Sequence, residues 1–230
     1  MPHETHDDSE PVKGHAEPDW TARQEEAVLL AALNLVEAES RWDDTLVRRA
    51  GEKAGLSPAA LDLVLPNGAR DLAALLSRRH DRRAIARLEA EDASALKVRD
   101  KIRRGVAARV EAAFEDEAAV RAATRFLSHP SHAGLAGRLV WESADALWRF
   151  AGDQAADFNH YSKRAILSTV LATTLARRLS HGAEAAERHL DFRIDGVMRF
   201  EKLKARLQID PVRMAERAVE HLARLRYPAR

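Results

Sequence analysis

GLSPAALDLVLPNG, residues Gly55 to Gly68, follows the amphipathic stretch LVRRAGEKA (Leu46 to Ala54) and closes on a Pro-Asn-Gly turn. Helix, tight turn and short helix is the layout of a helix-turn-helix, whose second helix ordinarily lies in the major groove of DNA. Specific readout there needs base-edge donors such as Arg, Lys, Asn or Gln on that second helix. The helix expected over Pro58–Leu65 has none, and the only charged side chain between Leu56 and Gly68 is Asp62, which repels phosphate. Arg48, Arg49 and Lys53 on the preceding helix can touch a phosphate backbone but read no sequence. The shape is present and its chemistry is missing.

The rest of the chain carries no stronger pull toward nucleic acid. Lys and Arg number 37 against 36 Asp and Glu, so no net field attracts a polyanion. Cysteine is absent, which removes disulfides, thiolate metal sites and a cysteine nucleophile. Residues 1–18 are acidic and proline-punctuated, and are expected to form a disordered tail rather than a secretory or mitochondrial leader. The longest uncharged run, Ala165 to Ala176, falls far short of the roughly 20 apolar residues that span a bilayer.

Ala, Leu, Arg and Glu dominate, and no segment alternates with period two, so the chain reads as all-α. Helices are expected near Thr21–Glu39, Asp44–Ala54, Pro58–Val64, Ala69–Arg87, Ala95–Phe114, Glu117–Phe126, Leu135–Ala151, Phe158–Leu179, Ala183–Leu207 and Pro211–Arg226. SHPSHAG (Ser128 to Gly134) and SHGAE (Ser180 to Glu184) are breaks. Trp141, Ala144, Leu147, Trp148 and Ala151 share one face, a pattern that fits either packed core or the wall of an apolar cavity. Ile166, Leu167, Val170, Leu171, Leu175 and Leu179 cover more than one face, as in a helix surrounded by neighbours or by a second subunit.

No catalytic constellation emerges. His129 and His132 sit in a proline-containing loop with no carboxylate near in sequence, so they read as solvated loop histidines rather than metal ligands. No phosphate loop, nucleophile elbow or di-iron Glu-x-x-His pattern is present. The chain is expected to be a non-enzyme with no cofactor and no metal.

The last stretch, DPVRMAERAVEHLARLRYP, begins with Asp210 as N-cap and Pro211 at the first helical position. It places Val212, Ala215, Val219, Leu222 and Leu225 on one apolar face and Arg213, Arg217 and Arg224 on the opposite one. Such a helix either docks on its own domain or lies flat on a membrane surface.

SADALWRFAGDQAADFNHYSKRAILSTVLATTLARRL resembles the Coq nine family of ubiquinone-biosynthesis proteins. The resemblance rests on Asp145, Trp148, the triplet Ala151-Gly152-Asp153, then Asp157, Asn159, Tyr161, Lys163 and Arg164. It extends to LDFRIDGVMRFEKLKARL downstream and to the Leu-Pro-Asn-Gly turn upstream, covering roughly Leu29 to Leu207. It implies the fold of TetR-type regulators without repressor activity, the helix-turn-helix being kept to cap a ligand-binding bundle. It also implies an isoprenoid lipid or ubiquinone precursor held in the bundle, and help given to a di-iron demethoxyubiquinone hydroxylase at a membrane.

The residues expected to bind lipid are Trp141, Ala144, Leu147, Trp148, Ile166 and Val170, and the expected partner surface is Asp157, Asn159, His160, Tyr161, Lys163 and Arg164. Family members commonly have Trp where this chain has His160, in a surface patch that contacts the hydroxylase. The expected organisation is a tail at 1–18, a helix-turn-helix subdomain at 19–76, a lipid-binding and dimerisation subdomain at 77–207, and the amphipathic helix at 208–230. The picture is of a homodimer that binds no nucleic acid, cytoplasmic and peripheral to the inner membrane. The alternative reading is a TetR-like transcriptional regulator with an apolar effector.

Overall fold

A helix-turn-helix does form at Asp44–Val64 in the computed structural model, which describes residues 20–91, 96–153 and 158–206. Among the described residues there are nine α-helices and no strand. They are α1 (Trp20–Glu39), α2 (Asp44–Lys53), α3 (Pro58–Val64), α4 (Ala69–Ala90) and α5 (Val98–Phe114). Then follow α6 (Glu117–Leu127), a 3-10 turn (Pro130–His132), α7 (Ala133–Phe150), α8 (Phe158–His181) and α9 (Ala183–Arg206). The predicted amphipathic helix at Pro211–Arg226, with Val212, Ala215, Val219, Leu222 and Leu225, and the tail at 1–18 lie outside the described residues.

The chain divides into two units: one runs through Arg78 and adds Asp116–Leu135, the other takes Arg79–Glu115 and Ala136 onward. Helix α6 therefore belongs with the first unit, where the sequence division at 76/77 had placed it with the second. Its small buried face, Ala119, Ala122 and Ala123, packs into the same core as Val28, Leu29, Ala32, Leu35 and Val36 of α1. Alanines let two helix backbones approach closely, and nothing in a local pattern announces which partner they choose.

The first unit is stitched from inside. Asp43 caps α2, its carboxylate accepting from the amides of Thr45 and Leu46 at 3.0 Å each. Ser57 caps α3 by accepting from the Ala60 amide at 3.2 Å. Trp42 donates its indole N–H to the Ala69 carbonyl at 3.0 Å, and Asp44 accepts from the Ala69 amide at 3.0 Å. Asp71 holds the Pro-Asn-Gly turn by accepting from the Asn67 amide at 2.7 Å. On α3, Leu61 and Val64 face the core, while Pro58, Ala59, Asp62 and Leu63 face outward.

Gly68 sits at φ +54°, and a Cβ there would lie 2.4 Å from the Asp44 Oδ1 that grips the start of α4. A side chain at this position is both left-handed and in collision with the clamp. Gly68→Ala is expected to destabilise the protein by about 2 kcal/mol, read as a lowered urea midpoint. A midpoint equal to wild type would mean that the turn is not under this constraint.

The second unit has its own core: Leu88 of α4, Ile102, Val106 and Val110 of α5, Ala144 and Leu147 of α7, Leu167, Val170 and Leu171 of α8, and Leu190 and Ile194 of α9. Packing is close where α5 meets α7, since a Cβ added at Gly105 would stand 3.0 Å from Leu147 Cδ2. Salt bridges Arg99–Asp195 and Arg103–Asp191 fix α5 antiparallel to α9. Inside, Asp81 accepts from Arg109 between α4 and α5, both side chains being largely buried. Helix α8 is buried along one stripe, whereas Ala165, Thr169, Ala172 and Ala176 are open to solvent.

Candidate functional site

The junction of α7 and α8 gathers the residues that carry the motif block. Helix α7 ends because Gly152 adopts φ +89°, the left-handed conformation that glycine enters without steric cost. Its amide donates to the Arg149 carbonyl and the Asp153 amide to the Trp148 carbonyl, each at 3.0 Å, which is the bonding of a Schellman cap. That cap delivers the Asp153 carboxylate against the first turns of α8.

Arg164 is the centre of what forms there. Its guanidinium donates to Asp145 of α7 at 2.6 Å, to Asp153 at 3.1 Å and to the His160 carbonyl at 3.3 Å. Lys163 donates to the other Asp153 oxygen at 2.7 Å. The Arg164 and Asp153 side chains are 2% and 8% exposed, so these charges sit almost out of water. Lys163 holds the Asp153 carboxyl below the usual carboxylate range; burial opposes this and Arg164 adds to it. Arg149 reaches Asp145 from the solvent side at 2.5 Å.

Two carboxylates and two buried or half-buried cations thus satisfy one another. A cluster so saturated has no free base or nucleophile; what it does is fix the direction in which α8 leaves α7.

An aromatic group stands beside this cluster. Trp148 donates its indole N–H to the Lys163 carbonyl at 3.1 Å, and the Lys163 ammonium lies 5.2 Å from the centre of its ring. Tyr161 is 61% exposed, its ring 6.3 Å from that of Trp141 and 5.1 Å from that of His160.

The predicted site residues therefore fall into three places. Ala144, Leu147 and Val170 are buried in the core of the second unit, and Trp148 and Ile166 pack against it. Trp141 stands with Tyr161 and His160. Arg164, expected among the exposed cations flanking Tyr161, is instead buried, because two aspartates and a backbone carbonyl draw its guanidinium inward. Asp157 and the Asn159 side chain lie outside what the structure describes.

Sequence reasoning matched Asp145 and Asp153 to a motif without giving them a role. The spacing of acids and cations across a chain reversal was the available signal, but it becomes legible only once the two helix faces are known to meet.

The loop histidines also find structural work. His129 caps the 3-10 turn by bonding Ser131, at 2.8 Å to its hydroxyl, and remains exposed. His132, read as solvated, is half-buried: its ring stacks on Phe126 at 4.0 Å and bonds the Phe126 carbonyl at 2.7 Å. Among the described residues no group of three or more His, Asp or Glu is placed to hold a metal ion. Nor is any described helix long and apolar enough to cross a membrane.

Residues 133–201, which contain this junction, match the family model described as COQ9. The chain is similar to the human ubiquinone biosynthesis protein COQ9, mitochondrial (Homo sapiens), with 24% identity over 200 residues. That match takes in 80% of this chain and 61% of the human protein, so the chain spans about three fifths of its relative's length. It is also similar to the rat protein of the same name (Rattus norvegicus), 38% identical over 63 residues, covering 26% of this chain and 20% of the rat one.

Proposed function

We propose that this chain, whose residues 133–201 match the COQ9 family model and which is similar to ubiquinone biosynthesis proteins COQ9, acts in ubiquinone biosynthesis as a non-catalytic, lipid-binding accessory protein. In this reading it binds an isoprenoid lipid or ubiquinone precursor and assists the di-iron demethoxyubiquinone hydroxylase at a membrane surface. The observation that carries the reading is the exposed Tyr161, with the half-buried rings of Trp141 and His160 beside it, next to the ion cluster inside the segment that matches the family model. Aromatic rings held in place, with a cation alongside, are the composition of binding hot spots.

His160 stands where a larger apolar ring is common in the family, so the contact it offers a partner is smaller and more polar. The outward face of α3, which offers Ala59, Asp62 and Leu63 and no cation, supports this reading over a DNA-binding regulator. Association with a second copy through α7 and α8, and with membrane through residues 208–230, belong to the same proposal.

The test is association with the purified hydroxylase. Tyr161→Ala is expected to weaken it by 2 kcal/mol or more, roughly thirtyfold, while leaving the melting temperature unchanged. Undiminished association of a normally folded variant would remove the partner surface from this place.

The lipid arm has its own measurement, organic extraction of the purified chain followed by mass spectrometry. Trp148→Ala is expected to carry less lipid than Arg138→Ala, which alters only an exposed side chain 3.7 Å from Glu142. Equal lipid loads in two folded variants would leave Trp148 as core alone.

A further inference from the structure

The turn between α8 and α9 carries a cavity that the motif block does not touch. Arg177 from α8 and Ala185, Arg188, His189 and Phe192 from α9 line a space of about 260 Å³. Phe192 is 66% exposed, an unusual position for a phenylalanine, and with Ala185 it gives the cavity an apolar side. The other side is cationic. Arg188 is paired with Glu184 of its own helix, both side chains in solvent, whereas Arg177 has no acidic partner among the described residues.

His189 lines the same cavity, with its Nε2 enclosed and without a hydrogen-bond partner among the described residues. Burial holds its pKa below the ordinary histidine value, and the positive fields of Arg193 and Arg177 push it the same way. The protonated ring is therefore disfavoured beside these cations.

We propose that this cavity binds a small organic oxyanion: a carboxylate or phosphate on one compact ring. The anion satisfies the guanidiniums of Arg177 and Arg188, for which planar oxyanions are the matching geometry. It also supplies the acidic partner that Arg177 lacks among the described residues. Its apolar body lies on Phe192 and Ala185. A cavity of about 150 Å³ accepts benzene, so one of 260 Å³ has room for a ring and its charged group and not for a long chain. The site is separate from the apolar core of α7 and α8, and its occupancy does not depend on whether that core takes a lipid.

The test uses the full chain at fixed pH, following the His189 ring signals by NMR during titration. The probes are phenyl phosphate, benzoate, inorganic phosphate and phenol. One of the two aryl anions is expected to shift His189 and to bind at least tenfold more tightly than inorganic phosphate or phenol, and the tighter one identifies the headgroup. Arg177→Ala and Arg188→Ala should each weaken it roughly tenfold. Phe192→Ala should reduce its affinity to that of inorganic phosphate. Silence of His189 toward both aryl anions would overturn the proposal. So would equal binding by the arginine variants, or a shift that follows protein concentration instead of ligand, which would mean that a second copy fills the cavity.

Discussion

Arg164→Ala is expected to cost about 3–5 kcal/mol of folding stability, the penalty for stranding buried charge when one partner of an ion pair is removed. Arg164 is 2% exposed and holds two carboxylates and the His160 carbonyl. Without it Asp153 keeps only Lys163, and Asp145 keeps only the solvent-side Arg149. Arg164→Lys should recover part of the loss, because one ammonium cannot span both carboxylates with a planar fork.

Acid supplies the second half of the test. Asp153 titrates below its ordinary value in the fold, so its contribution is present above the unfolded carboxylate pKa of about 4 and fades as pH falls through the folded value. The gap in urea midpoint between wild type and Arg164→Ala should therefore be widest near pH 7 and shrink below pH 4. A gap independent of pH would show that the loss is one of packing volume rather than charge.

Trp42→Ala is expected to be comparably severe, about 3–5 kcal/mol, the usual cost of deleting a large buried aromatic. Trp42 is 6% exposed within the core of the first unit, and its indole N–H meets the Ala69 carbonyl at the start of α4. Trp42→Phe keeps most of the apolar contact and gives up the hydrogen bond, so it should lose far less, about 1 kcal/mol beyond the change in volume. The control lies on the opposite side of the motif. Leu63 on α3 is 77% exposed, and Leu63→Gln should change stability by less than about 0.5 kcal/mol. A helix-turn-helix indifferent outside and intolerant inside is one kept for its architecture. If Leu63→Gln were the more damaging of the two, the outward face of α3 would have to be in use.

Helix positions were legible because apolar spacing and the few Gly and Pro residues mark them. Pro58–Val64 is found as read, and Ser57 does cap it. SHPSHAG was read as a wider break than it is. His129 and Pro130 start a single 3-10 turn, and α7 resumes at Ala133 with two glycines inside its first turns. The six apolar residues of α8 read as covering more than one face, Ile166, Leu167, Val170, Leu171, Leu175 and Leu179, are all buried or half-buried, while Ala165, Thr169, Ala172 and Ala176 take the open side.

The charges of the α7–α8 junction were the hardest to read. On a helical wheel Lys163 and Arg164 look alike, and only Asp145 and Asp153 arriving from α7 separate a half-exposed lysine from a buried arginine. Pairing across a reversal is a property of two faces, whereas periodicity describes one.

The place of α6 bears on how the chain is made. It emerges from the ribosome after α5, yet its alanine face completes the core begun by α1. The core of the first unit is therefore complete only after residues 116–135 have been translated, later than its own helix-turn-helix. The second unit's main pairing is a hairpin, α8 and α9 joined through Gly182 alone, whose halves meet as soon as both exist. The half of the molecule that is synthesised first is thus the one exposed longest to chaperones and proteases during its birth.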